Sequence, residues 1–103
     1  MKVYLNRRDG SVKAEGTYDE KTGALVVLKG SLVSPDVKYS EKFKAASKID
    51  ALRKQYVKNR TVKENVSFKS ASTAGNFVTG SSTNGLTAWK NKEGKCIKEL
   101  KNS

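Results

Sequence analysis

Histidine is absent from the 103 residues, and cysteine, proline and tryptophan occur once each. Without an imidazole there is no histidine general base, no Ser-His or Cys-His nucleophile pair and no His-ligated metal. Cys96 alone excludes an internal disulfide and a thiolate cluster for zinc. Stability must then come from an ordinary core, which is thin at this size, and the cysteine usage fits a reducing cytoplasm. No stretch approaches the roughly 18 apolar residues of a membrane span, and Met1 to Asp9 lacks the apolar run of a signal peptide. The expectation is a cytoplasmic chain with no membrane partner. Acidic residues are also few: ten carboxylates lie scattered in turns and on helix faces with no paired spacing for acid-base work. A non-enzymatic protein with no cofactor and no metal is therefore expected.

What the chain has in quantity is positive charge. The 21 Lys and Arg against 10 Asp and Glu give a formal charge of +11 and a pI near 9.9. Residues 1–40 carry seven basic and five acidic side chains, a net +2; residues 41–66 carry eight and three, a net +5; residues 67–103 carry six and two, a net +4. The excess therefore lies in the C-terminal two thirds. Lysine and arginine that neutralise phosphates release counterions and gain affinity without reading sequence, so nucleic acid is the partner such a distribution favours. Plain solubility is the competing explanation.

The length suits one small domain over 1–103. Val12, Ala14, Gly16 and Tyr18 alternate with Lys13, Glu15 and Thr17, which is strand periodicity. Asp19 to Gly23 supplies a turn, and Ala24 to Leu28 reads as the return strand, with Val3-Tyr4-Leu5 as a short neighbour. After the loop around Pro35, Ser40 can cap a helix over about 41–58, with Ala45, Ile49, Leu52 and Tyr56 as its apolar stripe and Arg53 snorkelling at the core edge. Val62 to Phe68 is a second β-like stretch whose alternation Glu64 interrupts. Ser70 can cap a short helix over about 71–79 that Gly80 ends in the left-handed conformation. Asn84-Gly85, a strand through Leu86 to Trp89, and a second turn at Asn91 to Gly94 predict a C-terminal β-hairpin. The fold class expected is α+β: an N-terminal antiparallel sheet, one long amphipathic helix, a short helix and that hairpin.

Each candidate contact residue has a structural and a functional reading. Ser70, Ser72 and the amides opening the short helix can hold a phosphate, with Lys69 beside them, or can simply cap. Lys90, Lys92 and Lys95 flank the final turn and can follow a phosphate backbone or keep a hairpin tip soluble. Asn84 can meet an adenine edge or serve its turn, and Trp89 can stack on a base or fill the core. Cys96, between Lys95 and Lys98, can be an exposed thiolate or a small core residue.

The run from Phe68 through Ser70-Ala71-Ser72, Ala74-Gly75, Phe77-Val78, Gly80, Ser82, Asn84-Gly85-Leu86, Trp89-Lys90, Gly94 and Ile97 to Leu100, with Val27 to Ser31 upstream, resembles a family of small domains of unknown function. Such domains occur at the C-terminus of bacterial GIY-YIG endonucleases and restriction-associated proteins, and the family is similar to the RAMA domain linked with restriction enzymes and adenine methylation. The likeness spans about 24–100. Ala71 stands where the family usually has Pro, Gly75 where it has Ala, and Leu86 where it has an aromatic. The resemblance implies an accessory domain that binds DNA, or RNA as second choice, through phosphates, with modified bases as a further ligand and a nuclease or methyltransferase as a protein partner. The alternative is a protein-binding adaptor of such a system that makes no nucleic-acid contact.

Overall fold

The computed structural model describes residues 1–39 and 43–101. Among these residues six strands and four helices follow in order: β1 (Lys2–Asn6), β2 (Lys13–Tyr18), β3 (Leu25–Val27), α1 (Ala46–Tyr56), β4 (Val57–Lys58), β5 (Thr61–Val62), β6 (Val66–Phe68), α2 (Ala71–Thr79), α3 (Gly85–Ala88) and α4 (Ile97–Lys101). The fold class is α+β, with the expected antiparallel sheet at the N-terminus.

Alternation builds that sheet. Its order is β1-β2-β3-β6, antiparallel throughout, with Val3 opposite Gly16, Gly16 opposite Val27, and Leu25 opposite Phe68. Directly opposed residues share a face, so Val3, Leu5, Ala14, Tyr18, Leu25, Val27, Val66 and Phe68 form one apolar layer, and all are buried. On the other face Lys2 pairs with Glu15 at 3.3 Å. Asp19 starts the β2–β3 turn by accepting the amides of Lys21 at 2.9 Å and Thr22 at 3.4 Å, and these bonds hold its carboxyl below the ordinary carboxylate value.

The long helix is shorter than its stripe predicts. Ser40 and Glu41, the expected cap and first turn, lie outside the described residues. Ala45 stands at the cap rather than inside, and Val57 adopts extended dihedrals of −118° and 134°, taking the chain into β4. Asn59 and Arg60, both with positive φ, then close a two-residue turn onto β5. The side chains that α1 buries are Ala46, Ile49 and Arg53, whereas Leu52 and Tyr56 are half-buried. The stretch from Val62 to Phe68 is likewise divided: Val62 belongs to β5, Val66 to Phe68 to β6, and the chain leaves the ladder at Lys63 to Asn65, around the Glu64 that interrupts the pattern.

Helix α2 has the predicted bounds and both predicted ends. Ser70 Oγ accepts the Thr73 amide at 3.2 Å, and Gly80 ends the helix at φ 70°. A side chain at Gly80 would also run into the Asp36 carbonyl. Its C-terminal carbonyls are accounted for one by one. The amides of Gly80, Ser34 and Lys38 take Asn76 O, Val78 O and Gly80 O, and the Ser34 hydroxyl takes Thr79 O. Phe77 O is left for Arg53, whose Nε donates to it at 2.9 Å.

The expected C-terminal hairpin is replaced by a different device. Gly85 to Ala88 is one helical turn rather than a strand, and residues from Ile97 onward form α4. Only the turn survives: Lys90 bridges Cys96 around it, while Asn91 Oδ1 accepts the amides of Glu93 and Lys95. Lys90 also bridges Tyr4, with bonds of 2.7 and 2.9 Å, so this segment covers the outer edge of β1. Asn84 has φ −82° and caps α3 through Leu86, so it is not the left-handed residue of a tight hairpin. Cys96 is buried, in keeping with its core reading.

Candidate nucleic-acid interface

The candidate residues fall into two groups joined through Trp89. Lys69, Ser70 and Ser72 sit at the start of α2, and α3 is pressed against that same end. A Cβ on Gly85 would overlap the backbone of Ala71 and Ser72, so only glycine lets the two helix starts meet. The Gly85 amide donates to Ser72 Oγ at 3.0 Å, which brings Asn84 beside Ser72. Beneath them the Trp89 indole N–H donates to Ala71 O at 3.0 Å. One residue further on, Lys90 leads into the turn that carries Lys92 and Lys95.

Three site readings change on this geometry. Trp89 is 0% exposed and its ring N–H is already engaged, so no face remains for stacking on a base. It belongs to the core. The amides opening α2 do not form an open cradle, because Gly85 covers the end and Ser72 accepts from it. Ser70 is the cap, with its hydroxyl also bonded to Thr73 Oγ1 at 3.0 Å. Asn84 remains exposed, but its side-chain carbonyl is committed to Leu86 at 3.1 Å. Gly75 is explained by close packing: a Cβ there would meet Thr83 Cγ2 at 3.0 Å and lie 3.6 Å from the indole nitrogen.

The lysines present the opposite case. Lys69, Lys90, Lys92 and Lys95 are all exposed. Among the described residues the ion pairs are Lys2 with Glu15 and Lys54 with Asp50, so these four ammonium groups have no carboxylate partner. Their positions are fixed by the backbone on either side: the Ser70 cap, the Lys90–Tyr4 bridge and the Asn91 turn.

Arg53, expected to snorkel at the core edge, is instead buried with its guanidinium bonded inside the fold, and a second feature escapes the sequence reading. Arg53 is only 8% exposed and reaches across to Ser34 O and Ser34 Oγ at 2.8 Å as well as to Phe77 O. Burial pulls its pKa down, opposed by the nearby Asp50 and Asp36. The second is a groove of about 520 Å³ between Lys48, Ala51, Leu52 and Gln55 of α1 and the Ser67–Lys69 strand end, with Thr73 of α2 closing one side. The α1 residues share the 3, 4, 7 spacing of one helix face, a signal visible in the sequence but overshadowed there by the buried stripe. Among the described residues no cluster of three or more His, Cys, Asp or Glu could hold a metal ion. Nor, among the described residues, is any helix long and apolar enough to cross a membrane.

A four-stranded antiparallel sheet with one apolar face, backed by helices and flanked by exposed lysines that have no carboxylate partner among the described residues, defines a small basic α+β domain. The chain belongs to the family described as Domain of unknown function (DUF4357), whose model matches residues 3–101. That span takes in β1 and β2 as well as the 24–100 region in which the resemblance lies. No curated protein and no solved structure matches the chain.

Proposed function

We propose that this domain is a non-catalytic accessory module that binds DNA through phosphates, in the setting of a restriction or nuclease system. The observation that carries this reading is the set of four exposed lysines, Lys69, Lys90, Lys92 and Lys95, that have no carboxylate partner among the described residues and lie within a region of strong positive excess. Uncompensated ammonium groups on rigid backbone have no internal partner to give up when they meet phosphate, so counterion release is gained at little cost. Base reading is the weaker component. With Trp89 in the core, Asn84 is the side chain left for a base edge, through its amide donors.

The resemblance to domains that accompany GIY-YIG endonucleases and to RAMA supports DNA over RNA and a nuclease or methyltransferase as the neighbour. The experiment is a fluorescence anisotropy titration of labelled duplex DNA, with duplex RNA as competitor, at low and moderate salt. A contact of about six phosphates loses on the order of a thousandfold in affinity between about 50 and 200 mM salt. Absence of binding at about 50 mM salt sinks the proposal. Equal affinity for adenine-methylated and unmodified duplex would remove modified-base sensing while leaving phosphate binding in place.

A further inference from the structure

We propose that the groove between α1 and β6 receives an extended acidic segment of a partner protein, which adds to the sheet as a fifth strand beside β6. The sheet has two edges, and they are treated differently. The edge at β1 is occupied by Lys90, which exchanges both backbone bonds with Tyr4. Among the described residues the edge at β6 has no such cover. Asp19 donates to Ala24 O at 2.8 Å and Leu28 to Glu15 O at 2.9 Å, so on β3 the even-numbered residues turn their polar groups towards β2. The odd ones, Leu25 and Val27, therefore bond Phe68 and Val66. Ser67, between them, points its N–H and C=O away from the sheet. Among the described residues no bond to either group exists outside the β3–β6 ladder.

That open edge faces a surface suited to a strand's side chains. Across the groove, Ala51 is exposed and Leu52 half-buried on the α1 face, and Phe68 forms part of the floor. About 520 Å³ accommodates several side chains of an extended segment. Lys48 and Lys69 stand on opposite rims, no carboxylate lines the groove, and neither lysine has an ion-pair partner among the described residues. The occupant is accordingly a segment with one or two apolar side chains at alternate positions and Asp or Glu between or beside them: backbone bonds give affinity, and the floor and rims give selection. A nucleic acid strand suits the groove less well. It has no regular row of amides to match Ser67, and the Phe68 ring is packed against Phe77 with centroids 5.1 Å apart, leaving no platform for a base.

The test is to pan a phage-displayed library of random short peptides against the full chain. Amide chemical shifts and anisotropy then follow with the best synthetic peptide. The expected result is enrichment of acidic peptides with an apolar anchor and shifts centred on Ala51, Gln55, Ser67 and Lys69. Ser67→Pro removes the one outward N–H of an edge strand, where proline is tolerated; it should weaken binding by about tenfold or more. Ser67→Ala keeps that N–H and should bind like wild type, and a thermal melt confirms that both variants fold. No enrichment, enrichment of neutral or basic peptides, or unchanged binding by a folded Ser67→Pro overturns the proposal. So does a duplex or single-stranded oligonucleotide that moves the Ala51, Gln55 and Ser67 amides, which lie apart from the proposed phosphate lysines. DNA binding through Lys90, Lys92 and Lys95 should be untouched by Ser67→Pro, so the two proposals fail separately.

Discussion

Replacing Arg53 with methionine tests the joint on which the helical layer depends. The guanidinium is buried and gives Nε to Phe77 O at 2.9 Å and Nη2 to Ser34 O and Ser34 Oγ at 2.8 Å, with a longer contact to Val78 O at 3.4 Å. Methionine fills much of the same volume but donates nothing. Val78 O keeps the Ser34 amide, so two carbonyls, Phe77 O and Ser34 O, lose their partner. Each buried acceptor left unpaired costs about 1–3 kcal/mol. Loss of a cation at the C-terminal end of α2 adds about 0.3–1 kcal/mol. Release of the guanidinium from its desolvation acts in the opposite direction, so the expected net loss is about 3 kcal/mol, out of the roughly 5–15 kcal/mol that hold a small domain together. Arg53→Lys keeps the charge but not the fork, and should fall between the two. Urea denaturation followed by circular dichroism measures both variants. A loss below about 1 kcal/mol for Arg53→Met would refute the reasoning, because it would mean that water or a small rearrangement serves those carbonyls.

Three further outcomes are expected. Joint replacement of Lys90, Lys92 and Lys95 by glutamate should weaken duplex DNA binding at least tenfold and reduce the slope of log affinity against log salt by about three, one for each lost phosphate contact, read in the same anisotropy titration. Gly85→Ala should destabilise by about 1–3 kcal/mol or more in a thermal melt, because the added carbon meets the Ala71 carbonyl and the Ser72 backbone rather than a side chain that can rotate away. For Asp19, whose folded carboxyl lies below its ordinary value of 3.8 chiefly through the Lys21 amide, the linkage has a definite sign. Its contribution to stability is present above 3.8 and fades as pH falls through the lower folded-state value, which a carbon-detected NMR titration of the carboxyl locates directly.

Legibility followed the range of the forces involved. The β2 alternation and the two caps of α2 are local, written in adjacent residues, and were readable as such. The region from Leu86 to Ile97 was not, because Asn-Gly serves equally as a hairpin turn and as the first residues of a helix, and a four-residue helix is too short to show a period. Val57 left the helix for a hairpin whose Arg60 makes distant bonds to Val33 O and Ser11 O, at 3.2 and 2.8 Å. Arg53 is the clearest case. Its burial depends on carbonyls 19 to 25 positions away in the chain, which no local pattern reports.

The segment that carries the family likeness is also the part most fully used by the fold. Ser70 caps α2, Ser72 accepts from Gly85, Gly75 admits Thr83, Asn84 caps α3, and Trp89 ties itself to Ala71 beneath them. Nearly every distinctive residue of the run from 68 to 89 thus has a partner inside the molecule, so the motif specifies how α2 and α3 meet. A sequence signature of this kind identifies the architecture and is silent on the ligand. What a ligand can use lies beside it: lysines that the fold positions without pairing, and a strand edge that it leaves open. Relatives can therefore share the joint while differing in the residues on the groove rims and the final turn, and specificity within the family should follow those positions rather than the motif itself.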